Sequence, residues 1–332
     1  MKTWFPSTSF PFIASAPMFG VAKGTLASAV TKVGGFGFIG AGFDLSPNSA
    51  QLAAVSSELS RTREILALPS SDPLPVGIGF ITFHPSAATT SSLASVTPIL
   101  EEHKPLAIWL FAPSAADVHT ALIPGLKSIG SAWGLKVFVQ TGNVEAARAA
   151  VRDGADVIVA QGSDAGGHQF KRSVGFACLV PEVVEAVEEE KGEREVAVIA
   201  AGGIVEGRGV AAALAAGAGG VVMGTRFVVS DEAGTPEWRK KLLVETKDGS
   251  QSTVKTAFFD ELPGHNIWPS PFDGRAVVNQ PYQEHLNGMP MQESTELYNA
   301  SINGGDGQRA SIWAGAGVGL IKSIEPAGDI VR

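Results

Sequence analysis

Residues 159–170 read VAQGSDAGGHQF, an apolar run followed at once by Gly166, Gly167 and His168. An imidazole titrates near neutral pH, so a histidine held at the edge of a cavity can take or return a proton in general acid–base chemistry. The two glycines leave the backbone bare of side chains, and a flat ligand can come close to it. Metal ligation fits the stretch poorly, because no second His or carboxylate follows at ligand spacing. No metal is expected. Asp164, four residues earlier, has the chemistry either to orient the imidazole or to cap its own loop.

Two more apolar runs end in glycine. VAVIAAGG closes on Gly202 and Gly203, and GVVMGTRF contains Gly224 and Thr225. Without Cβ atoms there, phosphate oxygens can reach main-chain N–H groups, and a helix begins in AAGGIVEGRGVAAAL at the same point. The first apolar run ends in Ala16, Pro17 and Met18. A small residue, a proline without N–H and a soft thioether suit a flat apolar ring, and suit ordinary packing equally well. GFGFIG puts Gly35, Gly37 and Gly40 in a G-x-G-x-x-G match. It lies within an apolar run instead of opening a helix, so close packing is expected there and not a dinucleotide.

The remaining candidates carry weaker signals. His84 follows an apolar run and could line the same face, whereas His103 and His119 are expected on the surface. His265 and His285 lie in a region rich in Pro, Asn, Gly and aromatics, where they could face a substrate. Cys178 is expected to pack, not to act as a nucleophile.

These residues matter only if the fold brings them to one place. Strands are expected over 12–18, 35–42, 75–82, 105–112, 136–142, 156–162, 196–203 and 220–227, with helices over 48–66, 116–133, 143–154 and 206–218 between them. The strand runs are almost wholly apolar, as parallel strands buried on both faces are. Strands alternating with helices give right-handed βαβ units, and eight of them give an α/β fold of the (β/α)8 TIM-barrel type. A doubly wound open sheet is the alternative. In such a barrel the loops after the strands form the active site, so residues 16–18, 162–169, 202–203 and 224–225 converge. After Phe227 the texture changes. Residues 229–299 read as a small, mainly helical cap subdomain, opening with a polar helix over 229–250, and the barrel comprises 1–228 with 300–332.

Composition narrows the class. With 45% hydrophobic and 17% charged residues the chain can build a large core, which argues against disorder. A net charge of −8 without a Lys/Arg block makes nucleic acid and anionic membranes poor partners. A single cysteine excludes an internal disulfide framework. The first twenty residues lack a basic stretch leading into a clean apolar one, and no apolar run is long enough for a membrane helix. A cytoplasmic protein acting on small molecules is expected.

Together, AQGSDAGGHQ, AAGGIVEGRGVAAALAAGAGGVVMGTRF and ASAPM resemble the nitronate monooxygenases, formerly called 2-nitropropane dioxygenases. The resemblance runs from about Ala14 to Phe227 and more loosely through the tail. It implies a TIM barrel with an added helical subdomain, a non-covalent FMN, and oxidation of alkyl nitronates by O2 to carbonyl compounds and nitrite. Some members also take neutral nitroalkanes. By the same resemblance His168 is the base for nitroalkanes, or a positioning or electrostatic group for nitronates. Gly202, Gly203, Gly224 and Thr225 would hold the phosphate. Ala16, Pro17, Met18 and Gly167 would lie against the flavin, and Gln140 would face flavin or phosphate. The chain departs from some members in reading VFVQTGN where they carry a Lys, so their substrate range is not transferred. An FMN-dependent enoyl-thioester reductase using NADH or NADPH is the alternative, since it shares a GGH-type loop. A phosphate-binding barrel without flavin is the reading from another class.

Overall fold

The computed structural model describes residues 1–89, 91–305 and 307–332. Its first six strands are β1 (Phe12–Ser15), β2 (Phe38–Gly42), β3 (Leu74–Ile81), β4 (Pro105–Phe111), β5 (Lys136–Thr141) and β6 (Val157–Gln161). The next, β7 (Gly167–Phe170), leaves the series, and β8 (Ala197–Ala201) and β9 (Gly220–Met223) rejoin it. The eight strands other than β7 pair in parallel in the order β1-β9-β8-β6-β5-β4-β3-β2. A parallel bridge between Ala14 and Phe36 brings the two edges together. This is the TIM barrel expected from the apolar runs. Most observed strands are a little shorter than their runs, and in β1, β8 and β9 it is the last residues that leave the strand to form the mouth.

Helices α1 (Gly24–Lys32), α2 (Ala50–Leu66), α3 (Ser91–His103), α4 (Ala116–Gly130), α5 (Val144–Asp153), α6 (Phe176–Glu190) and α7 (Gly207–Ala215) connect the barrel strands. Local sequence sets several of their ends. Ser49 caps α2 through the N–H of Gln51, and Asn143 caps α5 through that of Ala146 at 2.8 Å. Gly154 ends α5 in the left-handed conformation that favours glycine.

The continuous apolar runs serve two cores. Along β4, Ile108 and Leu110 face the helices, while Ala107, Trp109 and Phe111 face the barrel interior. The interior is aromatic: Phe5 from the N-terminal segment packs on Phe12, Phe36 and Phe138 with ring centroids 4.5–5.9 Å apart. The same alternation turns Gln140 of β5 and Gln161 of β6 inward at the mouth.

Beyond β9 come α8 (Thr225–Val228), α9 (Glu237–Glu245), α10 (Gly249–Ser252), β10 (Thr253–Thr256), α11 (Phe258–Glu261), β11 (Phe272–Val277), α12 (Gln280–Leu286), α13 (Met291–Gly304) and α14 (Ala327–Val331). The polar helix expected over 229–250 is therefore two short helices, the first entered through Pro236, which no preceding helix could continue through. The loop expected after residue 162 contains β7, which joins β11 and β10 in a three-stranded antiparallel sheet. Four residues paired with a strand about a hundred positions downstream leave no local signal. The tail returns to the mouth, where the N–H of Ala316 donates to the carbonyl of Asp164. Among the described residues no helix is long and apolar enough to cross a membrane.

Several single-residue expectations need correcting. His103 and His119 are buried, not on the surface, with Nε2 at 2.9 Å from Ser56 Oγ and 2.8 Å from Thr82 Oγ1 respectively. Their partners come from other elements, which helical periodicity cannot disclose. Cys178 is exposed on the first turn of α6 and is not packed. Gly37 is a packing residue as expected, since a Cβ there would lie 2.1 Å from the carbonyl oxygen of Ala27.

Candidate active site

Ala16, Pro17, Met18, Gln140, Gly167, His168, Gly202, Gly203, Gly224 and Thr225 all line one cavity of about 540 Å³ at the mouth of the barrel. Ala16–Met18 form a turn just past β1, held by the N–H of Ala16 on the carbonyl of Met223. Gly202 and Gly203 follow β8 with φ of +106° and +70°, and Gly224 and Thr225 follow β9. The glycines flanking the histidine differ in purpose. A Cβ on Gly166 would lie 2.4 Å from the backbone nitrogen of Gly315, so its bareness admits the tail. Gly167, at φ +69°, faces open space.

A relay of amides runs beneath the cavity. Trp109 Nε1–H donates to Gln140 Oε1 at 3.1 Å, Gln140 Nε2 to Gln161 Oε1 at 2.7 Å, and Gln161 Nε2 to the carbonyl of His168 at 3.3 Å. Each donor fixes the next acceptor, so the inward amides keep one orientation. Gln161 was not singled out from sequence. Its inward parity at a strand end, two strand-ends along from Trp109, was the available signal.

His168 sits on β7 opposite Gly274 of β11. Its ring stacks on Trp268 with centroids 3.6 Å apart and planes 11° from parallel, and meets Trp313 at 4.6 Å. Gly274 makes room for that second indole, since a Cβ there would lie 2.3 Å from the Trp313 ring. Nε2 of His168 lies 2.7 Å from Oδ1 of Asp260 on α11. The sequence reading weighed Asp164 for this place. Asp164 instead accepts the N–H of Phe176 at the start of α6, so it serves its own loop. His84 bonds Ser86 and opens a short 3-10 turn, and neither it nor His265 nor His285 lines the cavity.

The walls divide by polarity. Phe43, Phe83, Phe111, Ile267 and Trp268 make one side apolar. On another, Thr235 and Arg239 of the segment after β9 enter the lining. Among the described residues Thr235 Oγ1 and Arg239 Nε are both buried without a hydrogen-bond partner, and burial pushes the Arg239 guanidinium below its ordinary value. Buried polar atoms left this way call for a partner. Among the described residues no group of three or more His, Cys, Asp or Glu side chains stands close enough to hold a metal.

Comparison with known proteins bears on the family and the fold. The family model for nitronate monooxygenase matches residues 128–332. The chain is 47% identical to a nitronate monooxygenase of Neurospora crassa, over 100% of this chain and 90% of the relative. The structure is similar to FabK from Thermotoga maritima, with a TM-score of 0.74 and 26% identity over 99% of this chain and 92% of that one. It is similar also to a nitroalkane oxidase from Streptomyces ansochromogenes, with a TM-score of 0.72 and 26% identity over 99% of this chain and 95% of that one. The mouth of a parallel barrel, bare glycines on two successive loops and a fixed histidine between them occur here in a chain that belongs to the nitronate monooxygenase family of flavin-dependent oxidoreductases.

Proposed function

We propose that the protein binds FMN and oxidises alkyl nitronates with O2 to a carbonyl compound and nitrite, and that His168 removes the α-proton when the substrate arrives as a neutral nitroalkane. One observation carries the reading: ten residues drawn from five separate loops and strands, singled out by type and spacing or by the family resemblance, line a single cavity.

The residues present fit FMN. Gly202, Gly203, Gly224 and Thr225 would hold its phosphate, and the unpartnered Thr235 Oγ1 and Arg239 Nε offer further polar contacts to an anion. Ala16–Met18, Gly167 and Gln140 would face its ring. When bound, FMN supplies a two-electron sink that can pass electrons singly to oxygen.

The chain's own contributions are placement, proton transfer and exclusion of water. At His168 the α-C–H bond breaks, the proton moves to the imidazole, and the electron pair delocalises into the nitro group to give the nitronate. The apolar side, with Phe83, Phe111 and Trp268, keeps water from that carbon and accepts the alkyl group. Arg239 supplies positive charge to an otherwise acidic protein that must admit an anion. The substrate-facing segment 229–299 acts in this reading as a cap on the barrel.

The fold is shared as fully with FabK as with the nitroalkane oxidase, so the enoyl-thioester reductase reading must be met by experiment. Purified protein should show flavin absorbance bands displaced from those of free FMN. Under anaerobic conditions a primary nitronate should bleach them, and NADH and NADPH should not. Bleaching by a reduced nicotinamide and indifference to the nitronate would favour the reductase. A protein unable to take up FMN would leave only a phosphate-binding barrel.

A further inference from the structure

We propose that Asp260 is a positioning residue that fixes the tautomer of His168, so that Nδ1 is the nitrogen presented to the reacting carbon. The proposal rests on the reading of His168 as the base.

The argument begins with donors and acceptors. An ionised carboxylate only accepts, so the 2.7 Å contact between Asp260 Oδ1 and His168 Nε2 requires the hydrogen on Nε2. A neutral imidazole carries one N–H, and the lone pair therefore lies on Nδ1. Among the described residues the ring makes this hydrogen bond and no other. Inversion of the ring would exchange Nε2 for the carbon Cε1 and lose this bond, and the ring lies against Trp268 at 3.6 Å and beside Trp313 at 4.6 Å. Its backbone is tied down by the pairing of β7 with β11.

Asp260 is suited to the task in a second respect. Its side chain is 5% exposed and that of His168 16%, so the contact is shielded from water. Among the described residues no Lys or Arg pairs with Asp260, and its Oδ2 is buried without a protein partner. No cationic side chain among the described residues competes with His168 for it. When the α-proton passes to Nδ1 the ring becomes an imidazolium with both nitrogens protonated, and Asp260 is the carboxylate that faces it. The released electron pair stays with the substrate as the nitronate. An acid contributed by the segment after β9, 92 residues along the chain, so completes a base contributed by the barrel.

The test compares Asp260→Asn with the wild-type flavoenzyme on a primary nitroalkane and on its nitronate, ionised beforehand. The carboxamide can offer His168 a donor as readily as an acceptor, so the tautomer is no longer enforced. Turnover of the nitroalkane should fall about 10- to 100-fold in kcat/KM, a part of what general-base catalysis contributes, while turnover of the nitronate stays within about threefold. Equal losses on both substrates, or none on either, would overturn the proposal. Asp260→Ala with added formate should regain nitroalkane turnover selectively, which a merely structural role would not allow. If both variants fail to fold, ¹⁵N-histidine spectra of the wild-type protein decide: protonation of His168 at Nε2 supports the assignment, and protonation at Nδ1 rejects it. A wild-type enzyme that oxidises nitronates and leaves nitroalkanes untouched would defeat the base reading, and the spectra would still judge the tautomer separately.

Discussion

The barrel mouth and the segment after β9 both line one cavity, by different means. The mouth contributes mostly absences: Gly167, Gly202, Gly203 and Gly224 expose main chain, and the turn at Ala16–Met18 adds little bulk. The later segment contributes side chains at full reach, with Trp268 stacked on His168, Asp260 bonded to it, and Arg239 brought to the lining by α9. In the proposed function the first region would receive the cofactor. The second would shape what happens to the substrate. His168 belongs to the first by sequence and to the second by pairing, because β7 leaves the barrel to join β11. If the division holds, substitutions in the two regions should separate catalysis from cofactor retention.

The sharpest separation should come at the residue the regions share. His168→Asn keeps a polar side chain of modest size and cannot accept a proton near neutral pH. Its kcat/KM on a neutral nitroalkane should fall about 10²- to 10⁴-fold, the range general-base catalysis supplies. Flavin content should stay at the wild-type level, since the ring is held by Asp260, Trp268 and Trp313 and not by the phosphate-side glycines. Unchanged nitroalkane turnover would end the base assignment. Loss of flavin along with activity would mean that the two walls are not separable.

The converse variant lies wholly in the barrel. A Cβ on Gly224 would sit 3.8 Å from Ala16 Cβ and Met18 Sδ, in ordinary contact, so the backbone tolerates a side chain there and the extra atoms of Gly224→Val extend into the cavity. Crowding of this kind typically costs 1–3 kcal/mol, and FMN affinity measured by fluorescence titration should drop about 10- to 100-fold. Riboflavin, which lacks the phosphate, should lose less. Full FMN occupancy in this variant would move the phosphate away from β9.

How much of this could be read from the sequence follows the same divide. Barrel strands are local objects: a run such as PLAIWLF shows its buried character within seven residues, and a glycine at its end marks the turn. Hence the mouth was legible, down to residues 202–203 and 224–225. Asp260 was not, because FFDE is four residues of undistinguished helix and the meaning of its carboxylate lies 92 residues away. Trp268 hides in the same way, in a proline-rich loop that resembles a connector. Asp164 shows the limit directly: it takes the loop-cap role that was one of its two alternatives, and three-dimensional pairing supplies the partner of His168 from afar. His119 was misjudged for the same reason, its partner Thr82 lying just past β3.

That histidine offers the smallest test, on stability and not on rate, and asks whether the acid sensitivity of the fold lies in the barrel or in the later segment. His119 is buried on α4 against Thr82, and burial pushes it down to about 4 from its ordinary 6.5. Above pH 6.5 the ring is neutral in both the folded and unfolded chain and contributes no pH dependence. Between 6.5 and 4 only the unfolded chain binds the proton, so stability falls as the pH falls, by about 1.4 kcal/mol at pH 5.5, and the loss levels out once the folded state also protonates. In the later segment His265 and His285 are exposed. Urea unfolding of the wild type at pH 7.5 and 5.5 should therefore differ by about this amount from His119 alone. His119→Gln, which keeps a polar partner for Thr82 Oγ1 and removes the titration, should lower stability at pH 7.5 and flatten the acid slope. The same acid slope in wild type and variant would place the sensitive group elsewhere, and a slope removed instead by His285→Gln would assign it to the later segment.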